Sequence, residues 1–129
     1  MKRIFLILVL LKIFSNMAVA ETPLFVELNK LVQSGKDCSM IFTAQSNHTV
    51  DRLILETVLF DNNEGVILLT LFDFENLPKE KLRVRQFDIP ETMCGDIGKL
   101  LFNAINTCKG LGCGPLSISS RIEMVDVLG

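Results

Sequence analysis

The chain reads as an all-β protein, an antiparallel sandwich of about seven strands. Three observations carry that reading. Short apolar runs follow one another along the sequence, each closed by turn-forming residues. Two of the longest runs flank Asp61-Asn62-Asn63-Glu64-Gly65, which has the Asn, Asp and Gly content of a hairpin turn. Four cysteines, an even number, stand in a chain of 129 residues that opens with an export-type leader, as in a small domain stapled by disulfides.

The elements follow in order. Residues 24–31 alternate, Phe25, Glu27 and Asn29 opposing Val26, Leu28 and Lys30, and Gln33 to Asp37 make a turn. Residues 38–44 form a second run, ended by Ser46-Asn47-His48-Thr49. Residues 53–60 and 66–74 are the two arms of the hairpin, with Gly65 free to take positive φ between them. Residues 82–89 form a strand with charge on one side, and Pro90 stops it because proline cannot donate to a ladder. Residues 117–127 make the last strand.

Residues 96–108 are ambiguous. Ile97, Leu100, Leu101, Ala104, Ile105 and Cys108 fall at helical spacing, whereas an antiparallel sandwich needs a strand there to partner the final segment. The reading adopted is a short helical turn near 94–98 leading into a strand, any helix being confined to 94–104.

Residues 1–20 have the build of an export signal. Lys2 and Arg3 precede an apolar run over 4–13 broken only by Lys12, and Ala18-Val19-Ala20 offers a small-x-small cleavage site. The run falls short of the roughly 20 residues that span a bilayer, so no stable membrane anchor is expected. Cleavage after Ala20 leaves residues 21–129 as one domain in the periplasm or outside the cell. Three of the 13 basic residues leave with the signal and none of the 15 acidic ones, so net charge moves from −2 to −5. An acidic domain is a poor partner for nucleic acid or an anionic membrane surface.

Cys38, Cys94, Cys108 and Cys113 admit three pairings. If seven strands alternate in direction, Cys38 and Cys94 share one end of the sandwich and Cys108 and Cys113 the other. Bridging needs Cα atoms within about 7 Å, which favours Cys38–Cys94 and Cys108–Cys113. Zinc lacks a second close cysteine pair, and no CxxC supports thiol redox chemistry, so neither metal nor cofactor is expected.

Residues that could carry function are few. Lys79, Lys81, Arg83 and Arg85 recur at every second position, and on a strand they form a basic stripe fit for an anion or an acidic partner, or a merely solvated face. Arg121 joins the stripe only if its strand lies nearby. Residues 66–72 are apolar on both parities, so Ile67, Leu69 and Leu71 face either a covering layer or a partner, self-association included. His48 is the single histidine, in a polar turn, with no nucleophile motif beside it, and no catalytic residue is assigned. Asn47-His48-Thr49 matches a glycosylation acceptor, and Asp61 with Glu64 lacks EF-hand spacing.

Several segments together resemble a group of small exported proteins of alphaproteobacteria. They are VELNKL at 26–31, the lone Cys38, VLFDNNEG at 58–65, DFENLPKEKLRVRQFDI at 73–89, CGDIGKLLFNAINTC at 94–108 and LSISSR at 116–121. The stretch from VLFDNNEG through LPKEKLRV also resembles immunoglobulin-like and fibronectin-like modules. The resemblance implies a sandwich of immunoglobulin-like type and supplies no reaction or catalytic residue. The functional expectation is a non-catalytic module that binds another envelope protein, with a small inhibitor or regulator of an envelope enzyme as the alternative.

Overall fold

A computed structural model describes residues 23–129; the expected export signal and the expected cut after Ala20 lie outside the described residues. Eight strands follow in order: β1 Leu24–Ser34, β2 Asp37–Ser46, β3 Val50–Asp61, β4 Val66–Leu77, β5 Arg83–Ile89, β6 Ile97–Lys109, β7 Leu116–Ser120 and β8 Asp126–Leu128. They form two four-stranded sheets, β5-β2-β1-β7 and β4-β3-β6-β8, packed as a sandwich. The all-β class is therefore as the sequence predicts, and β1, β2 and β5 against β3 and β6 match the A, B, E and C, F positions of the immunoglobulin plan.

The end of the chain departs from that plan. The run over 117–127 is two strands in different sheets, broken at residues 121–125 where the chain crosses between layers. β7 pairs with β1 in parallel, and β8 pairs with β6 in parallel, so both sheets are mixed rather than antiparallel throughout. Strand directions still alternate along the chain; the parallel pairs arise because two odd-numbered strands, and two even-numbered ones, become neighbours.

Residues 94–108 resolve into a 3-10 turn at Cys94–Asp96 followed directly by β6. Its helix-like spacing has a physical source. β6 carries three irregularities against β3, near Gly98, Asn103 and Asn106. Each extra residue slips the alternation by one, so the residues opposite buried partners are spaced by two or three, imitating a helical period.

The core is the layer between the sheets. Leu24, Val26 and Leu28 from β1, Met40, Phe42 and Ala44 from β2, Leu53, Leu55 and Leu59 from β3, and Phe72 and Phe74 from β4 are all buried. Phe42 sits at its centre, with the rings of Phe72, Phe74 and Phe87 at 5.7–5.8 Å in edge-to-face contact. Such pairs add to the burial of large apolar area.

Both disulfides are the favoured ones. Cys38–Cys94 joins the start of β2 to the turn before β6, with Cα atoms 5.0 Å apart, and Cys108–Cys113 closes a short loop at the opposite end, at 5.9 Å. The β3–β4 turn differs in one detail. Glu64, not Gly65, takes the left-handed conformation, at φ 63°. Asp61 accepts the N–H groups of Asn63 and Gly65, both at 2.8 Å. Gly65 is needed because a Cβ there would lie 2.7 Å from the Asp61 carboxylate.

Candidate functional site: the outer face and edge of the second sheet

Strand alternation gives each sheet an outer face, and the two faces differ. On the β5-β2-β1-β7 sheet, Glu27 has Thr43 on one side and Ser119 on the other, and Ser39 lies opposite Asp88. That face is polar apart from Phe25, Ile41 and Val84. On the β4-β3-β6-β8 sheet, registered pairing sets Leu69, Val58, Leu101 and Leu128 side by side, one from each strand. Leu69 is 59% exposed and Leu128 47%, with Leu71 at 52% and Val66 at 64% extending the patch along β4. The row is about 14 Å wide at a strand spacing of about 4.8 Å, and the exposed Val66, Leu69 and Leu71 carry it along β4.

Polar groups border this patch. Lys99 lies over the Phe60 ring, 5.7 Å from its centre, and bonds Glu64 at 2.8 Å. That hydrogen bond and the ammonium charge hold the Glu64 carboxyl below its ordinary value. Asn103 donates to Glu56 at 2.8 Å, and Arg52 pairs with Asp73. Burial alone would raise Asp73, but the Glu75 N–H and the Arg52 guanidinium outweigh it and the carboxyl sits low.

β4 is also an edge strand. Its ladder with β3 is regular from Leu68 to Asp73, bounded by irregularities at either end. Residues 66–72 contain neither charge nor proline, the devices that normally blunt a sheet edge. Lower down the edge is closed. Arg85 of β5 donates from Nε to the Phe74 carbonyl at 2.7 Å and from Nη2 to the Asn76 carbonyl at 2.9 Å.

The basic stripe is thereby redefined. Lys79 and Lys81 stand exposed in the β4–β5 turn, since the strand begins only at Arg83. Arg83 and Arg85 pair with Ala44 and Phe42, so they project on the inner side of the edge rather than from an outer face. Asp73 and Glu56, the acids of the neighbouring sheet, are engaged by Arg52 and Asn103. Arg121 follows β7, at the far edge of that sheet from β5. The four cations do not form one site.

Of the three apolar residues singled out in the sequence, Leu69 and Leu71 are exposed, while Ile67 sits at an irregularity and packs against the core. Val58, Leu101 and Leu128 complete the patch and were not picked out. The signal for Val58 was present, because residues 53–60 are apolar on both parities, as 66–72 are. Leu128 reaches the patch only through the parallel pairing of β8.

Elsewhere, His48 lies in the β2–β3 turn, where its backbone N–H reaches Ser46 Oγ at 3.4 Å. Thr49, Asp51, Lys79 and Leu111 share an open hollow with it. Among the described residues no group of three metal-ligating side chains converges, and no helix is long and apolar enough to cross a membrane. At the top of the sandwich, Asp61, Glu91 and Asp96 line a hollow together with Ile67, next to the start of β4. No family model, curated protein or solved structure matches the chain.

Proposed function

We propose that the chain is an exported, non-catalytic interaction module that binds another protein of the cell envelope through the β4-β3-β6-β8 sheet. The observation that carries this is the Leu69–Val58–Leu101–Leu128 row, continuous across four strands and ending on an uncapped edge. The patch is apolar, bordered by ion pairs and mounted on a rigid sheet, as a protein interface is built. Two disulfides fit an oxidising compartment, and the leader over 1–20 fits export into one.

The test is capture from the native envelope with wild-type protein, with Leu69→Glu, and with Gln86→Glu on the polar face as control. A bound protein lost with Leu69→Glu and kept with Gln86→Glu supports the reading; retention by both variants overturns it.

A small inhibitor or regulator remains a second reading because of the loop at the opposite end. Leu111 is 89% exposed at the tip of the turn closed by Cys108–Cys113. Gly112 fixes that turn through its N–H to the Thr49 carbonyl at 2.9 Å. Loss of the captured protein with Leu111→Ser, and not with Leu69→Glu, would favour it.

A further inference from the structure

We infer that the occupant of this surface is an extended segment that adds to the free edge of β4 as a fifth strand, and that it carries a cationic side chain at the end beside Ile67. The inference deepens the proposed binding function and rests on it.

Backbone geometry supports strand addition. The regular stretch Leu68–Asp73 presents its outward N–H and C=O groups in ladder spacing, and the flanking irregularities and the Arg85 bonds mark where the template stops. Edge strands that avoid such pairing often carry a charge or a proline, and Leu68 to Phe72 carries neither, the first charge being Asp73 at its end. Leu69 and Leu71, on the outer side, would meet alternate apolar side chains of the added strand at cross-strand distance. A second copy is the weaker candidate. Added antiparallel, its β4 would bring Asp73 and Glu75 to the end where Glu91 and Asp96 stand, setting like charges together.

Charge supplies the polarity. The hollow beside Ile67 holds Asp61, Glu91 and Asp96. None of the three has an ion-pair partner among the described residues. Asp61 is occupied with the turn N–H groups, which leaves Glu91 and Asp96, both exposed, to face the end of an added strand. A lysine or arginine there gains two attractive contacts, and a glutamate meets two repulsive ones. At about 6 Å, with salt screening each contact to about half its strength in pure water, exchanging one for the other is worth about tenfold in affinity.

The probes are two acetylated, amidated octapeptides, KTLTVTLK and ETLTVTLE, titrated against the mature protein by NMR. The lysine peptide is expected to bind about tenfold more tightly, shifting amides of β4, with the difference shrinking at high salt. Glu91→Lys with Asp96→Lys should reverse the preference. N-methylation of alternate peptide amides on one edge should abolish binding, and on the other edge leave it intact. Equal affinity for both peptides, or binding that survives N-methylation of each edge in turn, overturns the inference. So does a sedimentation result in which the protein is already a dimer with β4 amides protected, which would make a second copy the occupant.

The two readings fail separately. If the peptide binds β4 but the captured protein ignores Leu69→Glu, the proposed function fails. If capture depends on Leu69 but charge and N-methylation do not matter, only strand addition fails.

Discussion

The two disulfides should contribute unequally, and the difference can be worked from the fold. Cys38–Cys94 spans 56 residues and ties the first sheet to the turn that opens β6 in the second. Cys108–Cys113 spans 5 and closes a loop whose glycines already pack against the β2–β3 turn. Loop-closure entropy makes the first worth about 4 kcal/mol and the second about 2 kcal/mol. Cys38 is fully buried, so its replacement by alanine also leaves a small void in the core. A domain of this size shifts by about 4 °C for each kcal/mol, so Cys38→Ala with Cys94→Ala should lower Tm by about 15 °C or more. Cys108→Ala with Cys113→Ala should lower it by about half as much. Thermal melts of the three proteins, followed by circular dichroism without reductant, make the comparison. If the small-loop variant loses as much stability as the large-loop one, chain entropy is not what the staples supply and the reasoning fails.

Other expectations follow from single contacts. Phe42→Ala removes the ring at the centre of the aromatic cluster and should cost about 3–5 kcal/mol in urea unfolding, whereas Phe42→Leu should cost much less. Gly112→Ala would place a Cβ 2.2 Å from the His48 carbonyl oxygen, so it should lower Tm well beyond Gly35→Ala, where φ is +58° but the space is open. Arg85→Ala uncaps the carbonyls of Phe74 and Asn76 and should destabilise by about 1–2 kcal/mol while raising concentration-dependent association, read by light scattering. Asp88 is held below its ordinary value by the Ser39 hydroxyl at 2.6 Å and then by the Gln86 amide. A lowered carboxyl stabilises the fold above its unfolded-state pKa and loses that contribution as pH falls through the folded value. Ser39→Ala should therefore move the Asp88 titration upward by NMR and weaken the acid dependence it contributes.

The turn at residues 61–65, the two long arms of its hairpin and both cysteine pairings were legible because each is set by local chemistry or by strand direction. The choice of neighbours was not. Nothing in Leu116–Ser120 or Asp126–Leu128 encodes that these strands enter different sheets, and in parallel, since alternation specifies faces and not partners. The lysine–arginine repeat misled for a related reason: its period is that of a strand, but Pro78 to Leu82 form a turn, so the period continues where the strand does not. In β6 the bulges concealed a strand beneath a helical rhythm. The apolar patch was half legible, because two of its four strands are apolar on both parities, while Leu101 and Leu128 become part of it only through register.

The parallel pairing of β1 with β7 also has a mechanical consequence. Force applied to the two chain ends, once the three residues of β8 have peeled away, pulls β1 and β7 in opposite directions along their own axes. The ladder from Leu24–Leu116 to Leu28–Ser120 is then loaded in shear, all rungs together, instead of opening one rung at a time like a zipper. A five-rung clamp of this kind resists tension far better than an antiparallel hairpin of equal length. A single molecule held at both ends should therefore give way at one high force peak rather than unravel gradually.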